Sequence, residues 1–373
     1  MSGSRSTAKS EVVLLTTHKK LATHETVVQQ ALAERIARLL GAKFVGAYDP
    51  ALHKGHALYY IPSDTLIGKK EGDALNILSV DDFFGGLIDH PFMATKAISH
   101  PLLKDATAKP AGWSERFFEH AADAVLHGFS VFNADDARRA GVQLLKDGPI
   151  RVKPVLATAG RGQVVVASEQ ELDKALAHQN MAEVEEWGLV LEEDLRDVIT
   201  YSVGQVQVAG IVVSYHGTQS LTEDNRGETV YGGSQLWLVR GDYDQLLKLD
   251  LGDDVRRSVT QAMSYEKAAL NCFPDFLASR RNYDIAHGTN ARGQICSGVL
   301  EQSWRIGGAS PAEVEALMAF AADPGLQRIG ASSHEIYGQT TLPADAHVLY
   351  EGDDPDVGLI SKFTQVQPYD RTQ

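Results

Sequence analysis

Apolar positions along this chain follow two periods. Val12 to Thr17 is a short strand-like run, and from about Glu25 to Leu40 the apolar positions Val28, Leu32, Ile36 and Leu39 or Leu40 share one helix face, with Gly41 placed to end the helix. Lys43–Tyr48 and Leu58–Ile61 read as two further strands. Strand, helix and strand joined by short links predict a parallel α/β unit. Residues 11–90 are therefore expected to form a small N-terminal α/β domain behind a polar tail, residues 1–10.

The pattern then breaks. Residues 91–133 mix Pro, Gly and aromatics without a clear period and read as irregular, with Trp113, Phe117 and Phe118 as core aromatics. Asp135 to Lys146 reads as a helix stopped by Gly148, and Ser168 with Glu171 opens another through Leu176. Strands are expected at the segment GLVLEED, at Ile199–Val208, at Ile211–His216 and at Thr229–Arg240, where Gly232 and Gly233 mark a bulge or close backbone approach. Asp254–Leu270 is helical in pattern, and Tyr283–His287 with Gln294–Arg305 form a hairpin around TNARG. Ser310, Pro311 and Glu313 predict a capped helix start. The last fifty residues are mixed, and EGDDPD at 351–356 reads as a solvated loop.

Composition narrows the class. A net charge of −14 argues against a general nucleic-acid binder, which needs clustered Lys and Arg, but leaves room for a local basic pocket. Two cysteines, Cys272 and Cys296, form no CxxC pair, so disulfide frameworks and thiolate metal sites are not expected. No apolar run approaches the ~20 residues that span a bilayer, and the polar start does not read as a signal peptide. The expectation is a soluble, cytoplasmic protein with no membrane or nucleic-acid partner.

Three segments carry candidate chemistry. Residues 151–162, RVKPVLATAGRG, read as a strand with one inward lysine, Lys153, and a turn holding Gly160, Arg161 and Gly162; such a loop lets amides approach phosphate oxygens. In GVLEQSWRIGG, residues 298–308, the period of two puts Glu301, Ser303 and Arg305 on one face. A solvated Glu–Arg pair on an edge strand explains that segment as well as a site does. Asp284 on the partner strand would bring a second carboxylate, enough with phosphate and water oxygens to hold Mg²⁺, and Arg305 could reach a phosphate. In VLEEDL, Glu192 or Glu193 could bond a ribose or adenine amino group, although a surface acidic run is equally plain. His90, His100 and His287 have no ligand spacing and read as core or surface residues. Tyr231-Gly232-Gly233-Ser234 with Arg240 reads as a structural bulge before an acceptor pocket. No GxSxG elbow occurs, and Cys296 has no base beside it in sequence.

In the order and spacing of these parts over roughly residues 90–310, the chain resembles the ATP-grasp superfamily, which includes biotin carboxylase and D-alanine–D-alanine ligase. Its RVKP, VLEQSWRIGG and KAISHPL segments are similar to those of an ATP-grasp-like family of bacterial proteins of uncharacterised function. The resemblance implies an α/β (α+β) ATP-grasp fold: an N-terminal α/β domain (11–90), a small lid subdomain (91–188), a large subdomain (189–330) that clamps the nucleotide with it, and a C-terminal extension (331–373). It implies ATP with Mg²⁺ or Mn²⁺. Lys96, Lys153, Gly160, Arg161 and Gly162 would grip phosphates, Glu192, Glu193 and Leu195 would form the adenine hinge, and Asp284, Glu301 and Ser303 would hold metal. Lys153 and Arg305 would be catalytic. One departure is visible: Ser303 stands where the family strand has Asn. The activity implied is a carboxylate–amine or carboxylate–thiol ligase working through an acyl phosphate on a small carboxylate, and a homodimer is compatible with it. An ATP-binding regulator or scaffold that has lost ligase chemistry is the alternative.

Overall fold

The computed structural model describes residues 9–17, 21–156 and 162–369. The first unit is the parallel one expected: β1 (Glu11–Leu15), α1 (Thr23–Leu40), β2 (Lys43–Ala47) and β3 (Leu58–Pro62), with strand order β2-β1-β3. Gly41 ends α1 in the left-handed region at φ 65°. β4 (Leu66–Ile67), α2 (Lys69–Ala74) and β5 (Gly86–Ile88) follow. Val13, Leu58, Tyr60, Leu66 and Phe83 form a cluster within this unit, and its other side is shared with later elements. Leu32, Ala33 and Ile36 of α1 pack in one cluster with Leu236, Leu317 and Phe320 from much later in the chain.

Residues 91–133, irregular in sequence, hold short elements: 3-10 turns at Pro91–Ala94 and Lys96–Ile98, α3 (Glu115–Ala121) and β6 (Gly128–Val131). All four residues of β6 are buried, so it carries no alternation to read. Phe117 is core as expected, while Trp113 and Phe118 are only partly buried. Then come α4 (Ala134–Leu144), β7 (Ile150–Pro154), β8 (Val164–Val166), α5 (Glu169–Ala177), α6 (Met181–Trp187) and β9 (Leu189–Glu193). Asn133 and Ser168 cap α4 and α5 by accepting the amides of Asp136 and Glu171. The four strands make an antiparallel sheet, β6-β9-β7-β8. Val152, Leu189 and Leu191 pack on its helical side with Leu144 and Leu172. Lys153 and Glu192, odd to that pattern, face the other way.

The body is built by β10 (Arg196–Val208), β11 (Ile211–Glu223), β12 (Thr229–Arg240), α7 (Tyr243–Leu246), α8 (Asp253–Cys272), β13 (Leu277–Ala278), β14 (Arg280–Thr289), β15 (Ile295–Ser303), α9 (Ser310–Ala322), β16 (Arg328–Tyr337), β17 (His347–Asp354) and β18 (Gly358–Gln367). Eight strands form one sheet, β15-β14-β10-β11-β12-β16-β18-β17. α8 buries Val259, Tyr265 and Ala269 against Val203, Tyr283 and Ile285 on one face. α9 and α1 cover the other. The glycine pair in β12 is both bulge and close approach: register slips opposite it, Gly233 sits at φ 145°, and a Cβ there would lie 2.1 Å from the Ser333 carbonyl oxygen.

The last fifty residues, mixed in pattern, hold β16, β17 and β18, which complete the main sheet. Two expectations need correction. Within EGDDPD, Glu351 to Asp354 belong to β17, and Asp354 is buried and accepts the His24 amide at 2.8 Å. At α9, Ala309 is the N-cap without a side-chain cap bond, and Glu313 turns inward to Arg280. Among the described residues no helix is long and apolar enough to cross a membrane.

Candidate nucleotide and metal site

The site starts from the β14–β15 hairpin. Antiparallel pairing sets Asp284 directly opposite Glu301, so the long sequence gap between them is taken up by strand length. Asp284 Oδ1 accepts Gln219 Nε2 at 2.6 Å and Asn282 Nδ2 at 2.9 Å. Burial, and then the Glu301 charge, push the Asp284 carboxyl above its usual range against those bonds. Two facing carboxylates, one of them partly open, suit a single hard cation completed by water and phosphate oxygens.

Lys96 closes on this pair. Its Nζ lies 2.9 Å from Glu301 Oε2, with the lysine 2% exposed. The 3-10 turn that carries Lys96 is clamped by the next residue of β15: Gln302 Nε2 donates to the carbonyls of Met93 at 2.9 Å and Thr95 at 2.7 Å. Alternation along one strand thus serves two purposes, with Glu301 meeting Asp284 and Lys96 and Gln302 fastening the lysine turn from the other face.

Ser303 is placed on the Glu301 face but is already engaged. Arg280 NH1 donates to Ser303 Oγ at 3.0 Å, Ser303 O at 3.0 Å and Arg305 O at 2.7 Å, while its other nitrogens bond Glu313. A buried guanidinium on that hydroxyl opposes a cation there, so Ser303 fits poorly as a metal ligand in this arrangement. Arg305, just past the strand, has its Nε 3.7 Å from Asp64 Oδ1, which follows β3 in the N-terminal unit. Gly308 comes next, and a Cβ on it would meet the Tyr231 ring at 2.6 Å.

A second cluster lies on the four-stranded sheet β6-β9-β7-β8. Arg151 pairs with Glu192 and Lys153 with Val190 in register, which puts Lys153 and Glu192 diagonally on one face. Lys153 Nζ donates to Glu192 Oε1 at 2.8 Å, and His100 Nε2 meets Glu192 Oε2 at 3.0 Å. Burial alone would raise the Glu192 carboxyl, but the Lys153 charge and the His100 bond hold it down at about 2. Lys153 keeps further N–H donors for a phosphate while bonded to Glu192. Glu193 and Leu195, expected in the hinge, are both engaged within the protein. Glu193 accepts the His127 amide at 3.1 Å and Asn290 Nδ2 at 3.3 Å, and Leu195 is buried against Leu126 and Ala286. Gly162 has φ 71°, and Gly160 and Arg161 lie outside the described residues.

The structure thus brings Lys96, Asp284 and Glu301 into one cluster and Lys153 with Glu192 into another, while Arg305 meets Asp64. Sequence reasoning missed Asp64, Arg280 and Gln302, and read His100 only as a core or surface residue. His100 follows Lys96 by four residues, but nothing in the local pattern marks the others. Arg240 is structural, bonded to the Leu326 and Phe320 carbonyls and stacked on Phe320.

The antiparallel β6-β9-β7-β8 sheet and the large helix-covered sheet together form an ATP-grasp fold. Biotin carboxylase from Campylobacter jejuni, solved as a β-γ-ATP complex, matches with TM-score 0.50 and 11% identity over 95% of this chain and 87% of that one. The biotin carboxylase domain of 2-oxoglutarate carboxylase from Hydrogenobacter thermophilus, solved with MgADP, ADP and bicarbonate, gives 0.51 and 12% over 97% and 87%. D-alanyl-alanine synthetase A from Vibrio cholerae gives 0.49 and 12% over 85% and 98%. Within that fold class, the chain belongs to the family described as "Protein of unknown function (DUF3182)", whose profile matches residues 12–364. No curated protein sequence matches the chain.

Proposed function

We propose that this protein is an ATP-dependent ligase of the carboxylate–amine or carboxylate–thiol type. The observation that carries the reading is the meeting of Asp284, Glu301 and Lys96, from three segments, at one point of an ATP-grasp fold. Lys96 and Lys153 bind and neutralise the phosphates of ATP, and Asp284 with Glu301 would hold Mg²⁺ or Mn²⁺, which when bound screens phosphate charge. The γ-phosphoryl passes from its bridging oxygen to a substrate carboxylate oxygen, leaving ADP and an acyl phosphate. An amine or thiol then attacks the carbonyl carbon, the carbon–oxygen bond to phosphate breaks, and the nucleophile's proton passes to solvent. Arg305 stabilises the oxyanion formed in between.

Glu301→Gln is the sharper test than Ala, because it removes charge while leaving an oxygen for the buried Lys96 ammonium. Its ADP release is expected to fall at least ~100-fold, as for loss of a transition-state charge contact, with folding retained. Wild-type turnover in that variant would overturn the reading. A second reading, an ATP-binding regulator or scaffold, is favoured by Ser303, whose hydroxyl Arg280 occupies. An ATP-induced rise in Tm, with no ADP formed on any member of a carboxylate panel, would select it.

A further inference from the structure

Beyond Asp284 the same sheet face continues into β12, β16 and β18 and carries polar groups that nucleotide chemistry does not use. Gln219, which reaches Asp284, pairs with Ser234; Ser234 pairs with Ser333, and Ser333 with Thr364. One step outward on that face, Glu335 stands opposite Lys362, with Nζ to Oε1 2.9 Å. Their side chains are only 18% and 11% exposed. An ion pair this enclosed is weak evidence of stabilisation, since apolar residues of similar size often do as well.

Two neighbours give the pair a direction. The Tyr231 hydroxyl bonds Ser234 at 2.6 Å and Ser333 at 3.2 Å, and it lies within electrostatic reach of both Glu335 and Asp284. It therefore stands between the metal acids and the ion pair. On the far side is His24, in the first turn of α1, whose ring lies 6.2 Å from that of Tyr350, the β17 residue opposite Lys362. His24 is 6% exposed, and its Nδ1 is buried with no hydrogen-bond partner among the described residues. A buried polar atom without a partner, beside an ion pair that retains spare donors and lone pairs, is a place prepared for a polar group from outside the chain.

We propose that Glu335 and Lys362 form a subsite for the zwitterionic head of an α-amino acid or short peptide, with Glu335 taking the ammonium and Lys362 the carboxylate. The reacting carboxylate or amine then lies at the other end of the molecule, toward the turn that follows Arg305, where Ser333 Oγ donates to the Gly308 carbonyl at 2.9 Å. The proposal rests on the ligase reading and names its substrate class. Residues 331–373, which sequence left without a role, supply both charges.

The test uses the full chain with ATP and Mg²⁺, following ADP release with aspartate, glutamate, ornithine and lysine and with their Nα-acetyl and α-amide derivatives. At least one free amino acid should accelerate ADP release, and blocking either end should raise its KM at least tenfold. Lys362→Met should erase discrimination against the α-amide, and Glu335→Gln that against the Nα-acetyl form. The double variant Glu335→Gln, Lys362→Gln removes both charges together, leaves no lone buried charge, and should lose both preferences. Retention of the ATP-induced Tm rise in each variant shows that the nucleotide site is intact. If ATP raises Tm but no amino acid accelerates ADP release, or the double variant keeps wild-type KM and selectivity, the subsite is wrongly assigned. Absence of an ATP-induced shift in the wild type would sink the ligase reading instead.

Discussion

Lys153 and Glu192 join stability to the site through one buried contact. Removing only the lysine leaves a carboxylate buried without its cation, which typically costs about 3–5 kcal/mol, whereas removing both charges costs less. Lys153→Met should therefore be less stable to urea than the double variant Lys153→Met, Glu192→Gln, and equal midpoints would show that the pair is not coupled. The pH dependence has a fixed sign. Glu192 sits at about 2 in the folded chain against the ordinary glutamate value of 4.5, so its contribution is present above the higher value. That contribution is lost as pH falls through the window between the two. The wild type should lose stability more steeply than the double variant between about pH 5 and pH 2, read from urea midpoints. Of the site residues, those on alternating strand positions were legible. Glu301 and Ser303 share a face as the period of two requires. What that period cannot show is that Ser303 is held by Arg280, because the two residues are 23 positions apart and meet only when β14 and β15 pair.

Elements were legible to the extent that each exposes one polar face or has clear punctuation. α1 ended where Gly41 allows a left-handed residue, and the glycine pair in β12 marked a real bulge. β6 escaped because it is buried on every side, and α9 escaped its expected cap because Glu313 finds a stronger partner in Arg280. The β12 bulge sets up a test. Gly233→Ala would drive a Cβ into the Ser333 carbonyl at a φ that L-residues rarely adopt. A loss of about 1–3 kcal/mol is expected from backbone strain of this kind, and it should appear as a lower urea midpoint. Unchanged stability would mean that β12 and β16 separate there without penalty. The same shift should move Ser333 and Tyr231 and raise KM for substrate, while the ATP-induced Tm rise persists.

For the whole molecule, lobes that the sequence divides at 90, 188 and 330 share their packing. α1 packs against α9, β5 pairs with β13, and β16 to β18 finish the sheet that carries Asp284 and Glu301. A chain ending at Gln327 would expose the edge of β12 and uncover one side of α9. It should fail to unfold cooperatively by calorimetry or circular dichroism, and a cooperative transition like that of the full chain would refute this account. Local periodicity by itself determined the parallel N-terminal unit, the antiparallel hairpin, the inward lysine of RVKP and the shared face of Glu301 and Ser303, since each depends on residues a few positions apart. Tertiary structure alone decided that Lys96 lands on Glu301, that Glu192 takes Lys153 and His100 together, that Asp64 reaches Arg305 across lobes, and that the C-terminal strands complete the main sheet. Those contacts join segments up to hundreds of residues apart, and no local pattern encodes which strand edges will pair or which buried charges will be left facing one another.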